Sequence, residues 1–520
     1  MAGIGIRLNR IFEKNTLTTD FLGFAYSTVA TVAPMLVIII NLTCMGAVLG
    51  FDKIGYAQRE LFSCTMLYIF IFALLTAAPF NAVLSRYMSD VIYEERYEDI
   101  RPCYYLGMMI NLIFSCLLGI PFCIREHLIG KVSVAYTFAG FCGYVSLVLV
   151  FYSMLYLSIC KDYQKISWFY FLGMAEAFVC AVILRYLLKW GVTQSMLTGM
   201  VTGFFFTAIL EHALVKRYFV KNSNRYRPVL QYFRRYWQLV VTNSLYILGL
   251  YIHNFVFWTT DLRMTVAKSF VCNQSYDMAS CLAMFTNLSA TVIFITRVEM
   301  HFHEKYKRYS EAVIGGRGAD IENTKRRMFR QLASELMNLA RIQFIISVVI
   351  YLLCIIFLPG MGISGMTMKI YPLLAAGYFV LFLMYAAIIF LYYFNDLTGA
   401  VRTAVLFCGV TFVGSMFSTH LTEIWYGTGL LAGTFAGWCS AYTRLRWVEK
   451  NMDVHIFCKG DLIPRGKGRM PSGKVFDRKK MLGCTTGKEG LDEYSNHDYN
   501  GACHYRNRNH GTYIFSACHP

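Results

Sequence analysis

Apolar runs of roughly twenty residues recur along the chain, separated by short polar or basic gaps. Each run is long enough to cross about 30 Å of hydrocarbon as a helix. The runs fall near 22–49, 61–83, 103–123, 133–159, 166–188 and 192–214, then near 237–260, 278–298, 341–359, 370–394, 399–418 and 424–441. Unlike an alternating strand pattern, this one predicts an all-α integral membrane protein with about twelve transmembrane helices.

The first six and last six runs read as a duplicated unit. Span two ends at Arg86 and leads into RYMSDVIYEERYEDI, and span eight ends at Arg297 and leads into RVEMHFHEKYKRYSEAV. Later in each half an aromatic exit meets an aspartate, in YLSICKD at Asp162 and FLYYFND at Asp396. The arginines are 297 − 86 = 211 residues apart and the aspartates 396 − 162 = 234 apart. The difference of 23 matches the longer loop after span eight, about 42 residues against about 19 after span two. Two six-helix bundles in one orientation would be related by a pseudo-twofold axis along the membrane normal, with a path between them. The predicted organisation is an N-terminal bundle over 1–214 with an amphipathic start, a basic linker over 215–236, a second bundle over 237–444 carrying a helical loop at 299–340, and a polar, disordered tail over 445–520.

Composition removes the soluble alternatives. Of 520 residues, 56% are apolar and 15% charged, against about 45–50% and about 25% in soluble domains. The mean hydropathy is +0.45. A disordered chain and a disulfide scaffold are excluded for the bulk of the sequence. The net charge of +18 comes from 49 Lys and Arg against 31 Asp and Glu. About 26 basic residues fall on the N-terminus and even-numbered gaps, about 9 on odd-numbered gaps, and about 14 beyond the last span. The positive-inside rule then predicts an inner-membrane, multi-pass protein with both termini in the cytoplasm. The start MAGIGIRLNRIFEKNTLTTD is basic and amphipathic, so no cleaved signal peptide is expected. Of the 17 cysteines only Cys272 sits squarely in an outer loop, which predicts reduced thiols and no outer disulfide framework.

The basic stretch KRYFVKNSNRYRPVLQYFRR joins the halves and suits anionic headgroups better than nucleic acid. In the loop at 299–340, Ile321, Met328, Phe329, Leu332, Leu336 and Leu339 form a helical stripe, and GGRG at 315–318 breaks it from the preceding segment. That GGRG lacks the strand and the Gly-Lys-Ser/Thr of a phosphate loop. The loop is either a cytoplasmic hairpin that docks a partner through Phe329 and Leu332 or gates the path, or a structural hairpin lying on the membrane. In the tail, His497, Cys503, His504, His510, Cys518 and His519 lack zinc-finger spacing. No metal and no cofactor are expected.

Polar groups inside spans are costly in lipid and therefore informative. Glu176 sits near the middle of span five, as a proton or cation site, a partner for a basic sugar, or a hydrogen-bonded packing residue. Span seven carries Asn243, Tyr246, Leu250, His253, Asn254 and Phe257 at helical spacing, flanked by Tyr251 and Trp258. Aromatic faces and amides of this kind suit a carbohydrate path, and ordinary interhelical hydrogen bonds account for them equally. Span one has Ser27, Thr31, Pro34 and Asn41 on one face. Arg86 and Arg297 end equivalent spans, where each either holds an anionic group or snorkels to headgroups.

The start MAGIGIRLNRIFEKN, the twelve spans and the basic loop between the halves resemble the PelG family of Pel exopolysaccharide transporters, within the multidrug/oligosaccharidyl-lipid/polysaccharide exporter superfamily. The resemblance covers roughly residues 1–450; the tail departs from it. It implies export of an amino-sugar-rich polymer, made by a cytosolic glycosyltransferase, through a complex with further membrane subunits, and no catalysis by this chain. The rivals are a polytopic sugar acyltransferase using His253 and a cation-coupled small-molecule exporter using Glu176.

Overall fold

A computed structural model describes residues 17–94, 96–159, 163–289, 299–361 and 365–459. The first six long helices are α1 (Leu17–Leu49), α2 (Tyr56–Tyr93), α3 (Ile100–Leu128), α4 (Val134–Ile159), α5 (Tyr163–Tyr186) and α6 (Val192–Tyr218). A short helix α7 (Arg227–Arg235) leads into α8 (Trp237–Phe257). A two-stranded hairpin follows, β1 (Met264–Val266) and β2 (Phe270–Cys272), and then α9 (Gln274–Asn287) and α10 (Glu299–Gly315). The chain continues through α11 (Gly318–Phe357), α12 (Gly365–Tyr393), α13 (Leu397–Ser418) and α14 (Thr428–Lys459). A compact unit of the chain extends to Lys450, and everything below concerns it.

Twelve of these helices coincide with the twelve apolar runs. Nine of them, α2 to α6, α8 and α11 to α13, are long and apolar enough to cross a membrane by length and composition among the described residues. The other three are α1, whose side chains are described only from Ala33 on, α9, whose described part ends at Asn287, and α14, which gathers Arg444, Arg446 and Glu449 into its second half. Lipid offers no hydrogen-bond partner to an open backbone, so every span is a helix with its bonds satisfied internally. Side chains finish the ends: Asn273 accepts from the Tyr276 N–H at 3.2 Å to start α9, and Asp396 accepts from the Gly399 N–H at 3.3 Å to start α13.

The two halves repeat one packing scheme. In the first, α1 packs on α5, α2 on α4 and α3 on α4; in the second, α8 packs on α13, α9 on α12 and α11 on α12. The fifth and sixth helices of each half also pair, through glycines four apart. Gly199 and Gly203 of α6 meet Ala177 and Gly173 of α5, while Gly429 and Gly433 of α14 meet Ser415 and Thr411 of α13. A Cβ on any of these four glycines would overlap its neighbour, which is how small residues let helix backbones approach in lipid. The third helices, α3 and α11, are the least buried of the nine spans and present Leu117, Leu118, Ile356 and Phe357 outward. Six spans is an even number, so the second half starts on the side where the first did. The fold is therefore two six-helix bundles about a pseudo-twofold axis along the membrane normal.

The loop after α9 is a helix pair. The chain turns at Gly315–Gly318, and α11 then runs without interruption into the ninth span. The Arg317 N–H donates to Asp320 at 3.2 Å, capping its start.

A seam between the halves and two buried acids

The halves meet along α2 and α8. At one end of this seam Tyr68 stacks on Trp258, with centroids 5.1 Å apart and planes 7° apart. One turn on, Phe72 stacks on Phe255 at 6.2 Å. Further along, the Asn243 amide donates to the Ala78 carbonyl at 3.4 Å, and Phe80 meets Phe233 of α7 at 6.3 Å. At the far end the Arg86 guanidinium lies 5.3 Å from the centre of the Tyr236 ring. Contacts at 68, 72, 80 and 86 follow the helical period of α2, so one face of that helix carries the junction.

Beyond Trp258 the hairpin crosses onto the first half. The Tyr68 hydroxyl donates to the Val271 carbonyl at 2.8 Å, Ser269 donates to the Glu126 carboxylate, and the Tyr56 hydroxyl reaches Met264 Sδ at 3.3 Å. Its turn holds Ala267 and Lys268 at φ of 48° and 61°, a region that side-chain-bearing residues adopt at a cost.

The span-seven residues are divided by the structure. Asn243 lies at the seam and also accepts from the Tyr392 hydroxyl at 3.5 Å. Tyr246 faces the opposite way, into the second half, with Tyr385 at 5.1 Å and Phe407 at 6.1 Å. Tyr251 is half-buried. His253 is fully enclosed: Nδ1 pairs with the Tyr276 hydroxyl at 2.9 Å, and Nε2 has no partner among the described residues. Asn254 donates to Asp277 at 2.7 Å, and the Trp258 indole donates to both Asp277 oxygens at 3.0 and 2.9 Å. The Asn273 N–H adds a third donor at 3.0 Å. Asp277 is thus the centre of this cluster, and the sequence reading passed over it because it lies just before the eighth apolar run. The spacing Asn273 to Asp277, across the first turn of a helix, was the available signal.

In the first half Asn41 is buried among thioethers, its amide 3.3 Å from Met45 Sδ, 3.7 Å from Met174 and 3.5 Å from Met200. Glu176 is half-buried on α5, and its Oε2 has no partner among the described residues. A second acid is buried more deeply than Glu176. Glu211 on α6 is 0% exposed, and neither of its carboxylate oxygens has a partner among the described residues. Its neighbour His212 meets the Tyr104 hydroxyl through Nδ1 at 2.9 Å. Glu211 escaped notice because it lies close to the end of its apolar run, where hydropathy alone suggests headgroup contact.

Two further expectations change. Arg86 does not reach out to headgroups: it is 3.6 Å from Asp90, which the Tyr232 hydroxyl also contacts at 3.1 Å, and Tyr236 covers it. Arg297 lies outside the described residues, as does Asp162. Phe329 and Leu332 are buried, and Phe329 stacks on Phe394 at 5.2 Å, so the stripe packs on this chain's own α12 exit instead of facing a partner. Asp396 accepts a two-pronged bond from Arg444, Nε at 2.5 Å and Nη2 at 3.0 Å. Among the described residues no three His, Cys, Asp or Glu side chains are grouped to hold a metal; the tail histidines fall outside them.

Solved structures of similar fold include MATE-family transporters. The chain aligns with an inward-facing MATE-family multidrug transporter of the MOP superfamily at 13% identity and TM-score 0.52, covering 82% of this chain and 99% of that one. An outward-facing MATE structure aligns at 15% identity and TM-score 0.53, covering 82% and 96%. An aspartate-to-asparagine variant of the Vibrio cholerae MATE transporter VcmN aligns at 11% identity and TM-score 0.55, covering 85% and 98%. At such identities the likeness is one of fold. No curated protein matches the sequence. The PelG family model, described as "Putative exopolysaccharide Exporter (EPS-E)", matches residues 1–457. That match spans most of the 520 residues, and the chain belongs to the PelG family of exopolysaccharide exporters.

Proposed function

We propose that this chain carries an amino-sugar-rich, Pel-like polysaccharide across the cytoplasmic membrane along the junction of its two halves. The observation that carries the reading is the row of aromatic and amide groups at that junction: Tyr68, Trp258, Phe72, Phe255 and Asn243. Rings offer flat apolar faces to sugars and amides pair with hydroxyls. The end bearing α7 and α10 is the cytoplasmic one in this reading, since the basic loops cluster there, and both chain termini share it. A cytosolic glycosyltransferase then delivers polymer to that end, with other membrane subunits around the bilayer-embedded chain. Glu176 and Glu211 serve as groups that exchange a proton or cation, or a sugar ammonium, as the halves move.

The acyltransferase reading is disfavoured because His253, its candidate base, has no exposed surface for a donor to reach. The test is to express the chain together with a Pel-type polymer-synthesising glycosyltransferase and to measure polymer outside intact cells. Trp258→Ala at normal protein level should reduce secreted polymer and leave polymer inside. Unchanged secretion would remove the seam as the path.

A further inference from the structure

Cys64 on α2 and Cys272 on β2 are 208 residues apart in sequence, and their sulfur atoms are 2.9 Å apart. Both side chains are buried, and among the described cysteines no other pair of sulfurs comes this close. A disulfide needs about 2.05 Å between sulfurs, so closing this one requires less than an ångström of movement. The surrounding contacts already bring the two strands of chain together. Tyr68, one turn along α2 from Cys64, is bonded to both the carbonyl and the N–H of Val271, the residue before Cys272. Ser269 is anchored on Glu126, and Tyr56 touches Met264 at the other edge of the hairpin. The sequence alone placed Cys272 in a loop and Cys64 inside a span, and so paired neither.

We propose that Cys64 and Cys272 form a disulfide that fastens the hairpin between α8 and α9 to α2 of the opposite half, holding that end of the seam closed. Its location on the oxidising face rests on the topology proposed above, which puts the hairpin outside the cytoplasm, where disulfides persist. The oxidant is a dithiol–disulfide couple at that face. One cysteine loses its proton and attacks a sulfur of the oxidant's disulfide, breaking that bond and releasing one oxidant thiolate. The second cysteine, also deprotonated, attacks the mixed disulfide at the first cysteine's sulfur and expels the other oxidant thiolate. Two electrons and two protons leave the protein, and the oxidant departs as a dithiol. The reverse exchange with a reductant reopens the hairpin.

The experiment uses the full chain in right-side-out and inside-out membrane vesicles treated with oxidised glutathione, which does not cross membranes. After blocking free thiols with N-ethylmaleimide, the chain is digested and analysed by mass spectrometry. The expected result is a linked peptide pair containing residues 64 and 272, two hydrogens lighter than the separate peptides, in most of the chain from right-side-out vesicles. It should disappear on reduction and in Cys64→Ser and Cys272→Ser. Linkage in inside-out vesicles only would support the pair while overturning the topology. If both cysteines are alkylated in each preparation, and also when the detergent-solubilised chain is treated with copper phenanthroline, the disulfide is refuted.

Discussion

The Tyr68 ring on α2 lies flat against the Trp258 indole at the end of α8, 7° from parallel, and the same two residues hold the hairpin through Val271 and the acid cluster through Asp277. One stacked pair thus ties together the two halves, the extramembrane hairpin and the polar centre of the second half. Anything that parts the halves at this end must unstack it.

A double-mutant cycle on this pair should therefore show coupling. Tyr68→Leu and Trp258→Leu each lower thermal stability in detergent, and the double substitution should cost about 1 kcal/mol less than the sum of the two. Strict additivity would mean that the rings lie side by side without depending on each other.

Glu211 gives the most direct test of coupling. An ionised carboxylate with no partner in a protein interior is expensive, and its replacement by an amide of equal size removes that expense. Glu211→Gln should accumulate normally and unfold at the same or a higher temperature, while export falls to about a tenth or less, the equivalent of ~1.4 kcal/mol. Glu176→Gln tests the second acid in the same assay. Full export by both variants would reduce the two carboxylates to packing groups.

The Arg444 fork on Asp396 is a structural joint between α14 and the start of α13. Removing one partner strands a buried charge, so Arg444→Met should destabilise by roughly 3 kcal/mol or more. Asp396→Asn keeps the helix cap and loses the charge, and adding it to Arg444→Met should recover part of the loss. Equal stability of the single and double variants would argue against the pairing.

The hairpin turn offers a gain instead of a loss. Lys268 is exposed and sits at φ 61°, where glycine is at ease. Lys268→Gly should raise stability by ~1 kcal/mol, and lowered stability would place the lysine side chain in a contact of its own.

Sidedness is open to labelling. A cysteine at Ala57, just inside the first turn of α2, should react with an impermeant maleimide added to intact cells. A cysteine at Ala319, in the exposed turn that opens α11, should react only after permeabilisation. Reaction at 319 in intact cells would invert the topology and with it the assignment of the hairpin to the oxidising face.

Run length and charge are local properties, and they were enough to number the spans, find their approximate ends and divide them into halves. A backbone in hydrocarbon has to satisfy its own hydrogen bonds, so twenty apolar residues become a helix whatever surrounds them. The same rule explains what stayed hidden. A helix in lipid is apolar on every side, so its sequence period does not tell which face turns inward. That Tyr246 points into the second half while Asn243 reaches α2 was settled by packing, as was the burial of Phe329 against α12. Glu211, Asp277 and the Cys64–Cys272 pair became visible only once helices remote in sequence lay side by side. A polar group's cost, and hence its meaning, depends on neighbours that only the fold supplies.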